Sequence, residues 1–282
     1  MKSSISGRSI VVTGGGSGIG AACAANLVAD GARVTICGRT ESKLVEVTDR
    51  LTAAADGDGD RGGGGGGGGG SIGYVVADVT DEDDVARLVA AAVESAGALH
   101  GVVANAGGAG ALQPYHRQST DEFVRVLHLN VLGTMHLVKH AVPHLIAAGG
   151  GSFVGMSSIA GHMTHPYFGA YAVSKAGIEA IVRNAADEYG HAKVRFNAVR
   201  PGFTDTELMA LIPRDSAIYD SYVANTPMAG VGEPEDVAHL VRFLLGDESR
   251  WITGQAINVD GGHNLRRGPD FSGFLGDGAL PL

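Results

Sequence analysis

Tyr171 and Lys175 stand four residues apart in the stretch YAVSK, a spacing that puts both on one face of a helix. An ammonium held beside a phenol hydroxyl favours the phenolate. It therefore pulls the tyrosine down from its usual pKa near ~10 toward use as a general acid or base. Upstream, Ser158 closes an apolar run in MSSIAG, where its hydroxyl is placed to hydrogen-bond a substrate oxygen. A Tyr-x-x-x-Lys pair by itself is more often structural than chemical, and its company is what gives it weight. Near the N-terminus, Thr13 to Gly20 read TGGGSGIG between an apolar run and a helical pattern. Gly14 there permits a tight turn, Gly18 lets the backbone approach a pyrophosphate, and Gly20 allows close helix-to-strand packing, with the helix N-terminus facing the negative charge.

These residues need a scaffold, and the sequence describes one. Short apolar or β-branched runs recur at 9–13, 33–37, 72–77, 101–104, 152–156, 194–199 and 256–259, and helical patterns at 18–30, 81–96, 120–147 and 170–189 lie between them. The strands read as continuous apolar runs and not as strict alternation, so both faces are expected to be covered by helices. The fold class is α/β: a single-domain, doubly wound parallel sheet of about seven strands with helices on both faces. Ile19, Cys23 and Leu27 keep an i, i+4 stripe for packing on the sheet. The expected domain spans 1–264, interrupted by a glycine-rich loop at 56–71 with nine consecutive glycines from Gly62 to Gly70. Such a run has no side chains to bury and maximal backbone entropy, which marks a mobile surface loop. The tail at 265–282 is broken by Gly and Pro but carries Phe271, Phe274 and Leu275, so a disordered tail and one docked on a partner subunit are both open readings.

Composition narrows the partners. The chain has 282 residues, 44% of them hydrophobic, and a formal charge of −9. With no cluster of Lys and Arg, a nucleic-acid surface is not expected. No uninterrupted apolar run reaches the ~18 residues of a membrane span, and the N-terminus lacks the apolar core of a signal peptide, so a cytoplasmic protein is expected. Cys23 and Cys37 sit in apolar stretches without metal-ligand spacing and read as core residues. His162 and His165, in GHMTHPYFGA, have no third ligand beside them, so no metal site is expected.

Taken in order, TGGGSGIG, Asp78-Val79, NAG at 105–107, Asn130, Ser158, YAVSK, RPGFTDT at 200–206 and ITGQAINVDGG at 252–262 resemble the short-chain dehydrogenase/reductase family over nearly the whole chain. The resemblance implies a Rossmann-type, NAD(P)-dependent oxidoreductase acting on a small-molecule secondary alcohol or ketone. In it Tyr171 exchanges a proton with the reacting oxygen and Ser158 positions that oxygen. Lys175 holds the nicotinamide ribose and depresses the tyrosine pKa, while Asn130 holds a water that links Lys175 to solvent. The resemblance also implies a cofactor site formed by Gly14, Ser17, Gly18, Ile19 and Gly20, with Asp78 and Val79 lining the adenine end. Asn105 and Gly107 close the pocket beside the cofactor, and Pro201, Gly202, Thr204 and Thr206 stand near the nicotinamide and phosphates. His162, His165, Phe203 and Leu208 fall where relatives build the substrate pocket. Residues 204–230 occupy the position of a substrate lid whose apolar side chains suit an apolar substrate. A homotetramer is implied as well. A 3-oxoacyl thioester reductase is the rival within the class, and a non-catalytic dinucleotide-binding sensor the rival outside it.

Cofactor choice rests on VTICGRTESK at 34–43. An acid about ~20 residues past the glycine motif accepts a hydrogen bond from the ribose 2′-hydroxyl of NAD, whereas an Arg nearby accommodates the 2′-phosphate of NADP. Gly38 occupies the acid's place and Arg39 follows it, offering a planar fork of donors suited to phosphate oxygens. NADP is favoured over NAD.

Overall fold

The runs rich in Val, Ile and Ala become seven parallel strands: β1 (Ser9–Thr13), β2 (Arg33–Gly38), β3 (Ser71–Val76), β4 (Gly101–Ala104), β5 (Gly151–Met156), β6 (Val194–Pro201) and β7 (Ala256–Val259), in the spatial order β3-β2-β1-β4-β5-β6-β7. The computed structural model describes residues 4–57, 70–207, 209 and 212–266. The glycine-rich stretch at 58–69, Leu208 and the tail from 267 to 282 therefore lie outside the described residues.

The helices are α1 (Gly18–Ala29), α2 (Glu41–Gly57), α3 (Glu82–Ala96), α4 (Thr120–Leu127), α5 (Gly133–Ala147), α6 (Ala170–Tyr189), α7 (Ala217–Ala224) and α8 (Pro234–Leu245). Burial on both faces explains the unbroken apolar runs of β1, β4, β5 and β6, whereas the edge strands β3 and β7 are exposed or half-buried. One core gathers Cys23 and Leu27 of α1, Leu44 and Val47 of α2, and Val241 and Leu244 of α8 against β1 and β2. The other gathers Leu88 of α3, Leu137 of α5 and Ile178 of α6 against β4, β5 and β6. Both expected cysteine positions are core: burial pushes each thiol up to about 12, which leaves them protonated and inert.

The chain order reverses direction across the sheet between β1 and β4, and a crevice opens at the carboxyl ends of the strands there, where doubly wound sheets bind ligands. One expected element is interrupted. The helical pattern at 120–147 is not a single α-helix: a π turn at His128–Leu132 joins α4 to α5, with Gly133 N–H donating to the carbonyl five residues back. Such turns insert one residue into a helix and redirect its side chains. The residue at its centre is Asn130, fully buried.

Candidate active site

The glycine turn between β1 and α1 has the geometry its residues imply. Gly14 and Gly18 adopt φ of +66° and +50°, a region costly for residues with a Cβ. A Cβ on Gly20 would lie 2.1 Å from the Gly14 carbonyl oxygen, and one on Gly18 would lie 3.3 Å from Thr206 Cγ2. The turn is locked from the neighbouring strand: Asn105 Nδ2 donates to Thr13 O at 2.9 Å, and the backbone N–H groups of Asn105 and Ala106 donate to Thr13 Oγ1 at 3.1 and 3.0 Å. Asn105 thus supports the cavity from beneath and does not face it. Ser17 makes no side-chain cap on α1, so the first N–H groups of that helix point into the crevice without a side-chain acceptor.

Two cavities meet at Gly107. The first, of about 270 Å³, is lined by Gly14, Ser17, Gly38, Arg39, Asp78 and Val79, and also by Lys43. Arg39 Nη1 lies 3.9 Å from Asp78 Oδ2 and its side chain is largely exposed. Asp78 accepts from Thr80 N–H and Oγ1, while the cap of α3 is Asp81. The second, of about 140 Å³, brings together Ile19, Gly107, Ser158, Tyr171, Lys175, Pro201, Gly202, Thr204 and Thr206.

At the second cavity, Tyr171 and Lys175 share a face of α6, as their spacing requires. Ser158 follows β5 and caps a short 3₁₀ turn, its Oγ accepting from Ala160 N–H at 3.2 Å. The electrostatics correct one expectation. Burial raises the Tyr171 phenol above its ordinary value, and Tyr222 adds to the rise, outweighing the lowering by a hydrogen bond with Ser158. The Lys175 ammonium is itself desolvated, brought down to about 8, and donates to Met156 O at 2.7 Å. Its Nζ stands 5.5 Å from the Tyr171 ring centroid.

Asn130 reaches the site through the π turn. Its Nδ2 donates to Gly108 O at 2.9 Å and to Ser174 Oγ at 2.7 Å, and its Oδ1 accepts from Gly108 N–H at 2.9 Å. A Cβ on Gly107 would meet Asn130 Oδ1 at 2.9 Å and Lys175 Nζ at 3.4 Å. The side chain therefore ties the Gly107–Gly108 backbone to α6.

Beneath the cavity lies a charged network that the sequence reading missed. Glu179, one turn beyond Lys175, is buried and accepts from Arg200 Nε at 2.6 Å, Arg200 Nη2 at 2.5 Å and Ser157 Oγ at 2.8 Å. Burial raises its carboxyl, but Arg200 and Ser157 more than offset this and hold it below the usual range. The available signal was an acid at i+4 from a buried lysine on an otherwise apolar helix face. Lys43 was missed too; it projects from the first turn of α2, four residues past Arg39, into the same cavity.

The segment expected to form a lid leaves β6 at Phe203, whose ring stacks on Tyr222 at 4.6 Å and meets Tyr219 edge-on at 5.8 Å. It is tied by ion pairs Arg214–Asp205 and Lys43–Glu207. Beyond Tyr222 opens a third cavity of about 410 Å³, with His165 in its wall. His162 ends the 3₁₀ turn with its N–H on Ile159 O, and its exposed side chain lines none of the three cavities. Among the described residues no cluster of His, Cys, Asp or Glu is placed to hold a metal ion, and no helix is long and apolar enough to cross a membrane.

Residues 14–264 match a family described as enoyl-(acyl carrier protein) reductase. The chain is 36% identical over 256 residues to cis-4-hydroxycyclohexanecarboxylate dehydrogenase of Sinomonas cyclohexanicum, covering 91% of this chain and 96% of that one. It is 31% identical over 259 residues to a 3-oxoacyl-[acyl-carrier-protein] reductase of Thermotoga maritima, covering 92% and 98%. A solved short-chain type dehydrogenase/reductase from Mycobacterium ulcerans superposes with a TM-score of 0.87 at 46% identity, over 96% of this chain and 95% of that one.

Proposed function

The chain belongs to the short-chain dehydrogenase/reductase family of nicotinamide-dependent oxidoreductases, and on that premise we propose that it interconverts a secondary alcohol and a ketone on a largely apolar skeleton, with NADP(H) as cofactor. The observation that carries this reading is the single cavity in which Ser158, Tyr171 and Lys175 converge with Pro201, Gly202 and Thr206. The crevice suits a dinucleotide: a Cβ on Gly18 or Gly107 would intrude on it, and the uncapped N-terminus of α1 presents N–H groups to a pyrophosphate. When bound, the nicotinamide donates or accepts the hydride.

The remaining chemistry belongs to the chain. Ser158 holds the reacting oxygen by hydrogen bonding. Tyr171, a phenol protonated at neutral pH and pushed further that way by its burial, is a proton donor to a carbonyl oxygen; in the opposite direction its phenolate accepts the alcohol proton, which calls for higher pH. Lys175 fixes the rear of the cavity through Met156 O, and Asn130 holds Gly107 and Gly108 in place. Arg39 and Lys43, with no acid at Gly38, favour the 2′-phosphate of NADP. The apolar side chains Val124, Leu132, Met135 and Val173 exposed around α4, α5 and α6 support the proposed homotetramer, which light scattering would test.

The assay is direct. Purified protein is incubated with NADPH or NADH and cyclic ketones, linear ketones and 3-oxoacyl thioesters, following absorbance of the reduced nicotinamide. Faster turnover of cyclic ketones with NADPH is expected. Preference for the thioesters would favour the acyl reductase, and cofactor binding without turnover of any substrate would favour a sensor.

A further inference from the structure

The third cavity, beyond Tyr222, is lined by the apolar or aromatic side chains of Met163, Pro166, Ile218 and Tyr222 and by the polar His165, His263, Asn225 and Arg266, of which His165, His263 and Arg266 are half-buried. Arg266 is the only Lys or Arg in that lining, and no Asp or Glu joins it. Asp205 and Glu207 of the lid are engaged elsewhere, with Arg214 and Lys43. Arg266 donates its backbone N–H to His263 O, and among the described residues its guanidinium makes no ion pair. The two histidines are oriented: His165 Nδ1 lies 3.1 Å from Met163 O, and His263 Nδ1 lies 3.3 Å from Thr226 Oγ1.

This cavity is continuous in side-chain contacts with the proton-transfer residues. The Phe168 ring lies 5.8 Å from the Tyr171 ring and 5.2 Å from the His165 ring. Tyr222, which walls the cavity, also bears on the Tyr171 phenol. Phe168 and Tyr222 are thus the side chains through which this cavity borders Tyr171. The chain carries a formal charge of −9, so an anion entering this cavity gains nothing from the overall field and depends on a local cation.

We propose that the far end of the substrate carries a carboxylate and that Arg266 is the specificity-determining residue that binds it. The substrate class is then an anionic secondary alcohol or ketone: an apolar skeleton seated on Tyr222 and Ile218, with its acid group on the guanidinium. A planar fork of N–H donors matches both carboxylate oxygens. The proposal rests on the hydride-transfer reading above and adds to it the charge of the substrate.

The test compares 4-oxocyclohexanecarboxylate with its methyl ester, which keeps the skeleton and removes the charge. Steady-state kinetics are measured with saturating NADPH on the wild type, Arg266→Ala and Arg266→Lys. The wild type is expected to favour the acid in kcat/KM by about ten- to a hundredfold, mainly through KM. In Arg266→Ala that acid-to-ester ratio falls to near one, and Arg266→Lys keeps an intermediate ratio. Equal kcat/KM for the two probes in the wild type, or an acid preference that survives in Arg266→Ala, overturns the carboxylate proposal while leaving ketone reduction standing. An enzyme that reduces other ketones but neither probe overturns it as well. Absence of hydride transfer with every substrate would instead strike the underlying reading.

Discussion

Around Tyr171, the cleft is held by backbone and buried charge: Asn130 pins Gly108, Asn105 pins the glycine turn, Lys175 reaches Met156 O, and Glu179 gathers Arg200 and Ser157. At the lid, the same cleft is held by stacked rings and by ion pairs with one or both partners exposed, Lys43–Glu207 and Arg214–Asp205. The contrast separates two demands. Proton transfer needs atoms fixed to within a fraction of an ångström, and strand ends supply that. Substrate choice and cofactor entry need a surface that opens, and side-chain contacts of modest energy supply that.

Tyr171→Phe is the strongest test of the rigid side. It removes only the hydroxyl, so turnover should fall by about 10²–10⁴-fold while dinucleotide affinity, read by fluorescence titration, stays within a few-fold. Wild-type rates in that variant would remove Tyr171 from the mechanism.

Next comes Glu179→Ala, which leaves the half-buried Arg200 guanidinium without its carboxylate. A loss of about 3 kcal/mol in denaturant unfolding is expected. The double variant Glu179→Leu with Arg200→Met should recover most of it, since no charge is left buried. If the single variant unfolds like the wild type, the network is not what braces the floor.

Lys175 offers a pH test. Its folded value, about 8, lies below the 10.5 of the ordinary side chain, so between these values the unfolded chain binds a proton that the folded chain does not. Stability contributed through this group therefore rises with pH across that window, by on the order of 3 kcal/mol, and is lowest below pH 8. Lys175→Met should exceed the wild type in cofactor-free stability most at pH 7 and progressively less toward pH 10. A gap independent of pH would mean that Lys175 is not desolvated in solution.

Arg39→Ala probes the open adenine end. A charge-assisted contact to the 2′-phosphate is worth about 1.5–3 kcal/mol, so NADP(H) should weaken roughly ten- to a hundredfold with little change for NAD(H). Gly38→Asp added to it should invert the preference. Equal losses for both cofactors would make Arg39 an adenine support. The smallest effect belongs to the lid: Glu207→Gln breaks a pair whose side chains are 45% and 66% exposed, and unfolding should shift by less than about 1 kcal/mol. A larger shift would show the lid to be as firmly held as the floor.

Local sequence was enough for the parts of this protein that depend on near neighbours. Seven apolar runs became seven parallel strands; in the central ones, β1, β4, β5 and β6, residues buried on both faces need no alternation. Tyr171 and Lys175 share a face because 3.6 residues make a turn, and the glycines of Thr13 to Gly20 sit where φ is positive or a Cβ would collide. Folding alone settled what depends on distance in sequence. The helix expected at 120–147 contains a π turn, and no propensity at Asn130 announces the partners, Gly108 and Ser174, that it meets there. The tyrosine was expected to be acidified by Lys175, and its phenol is instead raised, because desolvation acts on both groups and depends on everything packed around them. Glu179 and Arg200 are 21 residues apart and pair across β6 and α6; Lys43 and Glu207 are 164 apart and pair across the cleft. Arg266 faces His165 across a cavity formed by three separate segments. A strand or helix is encoded by its own period, whereas a charge finds its partner only after the chain has closed.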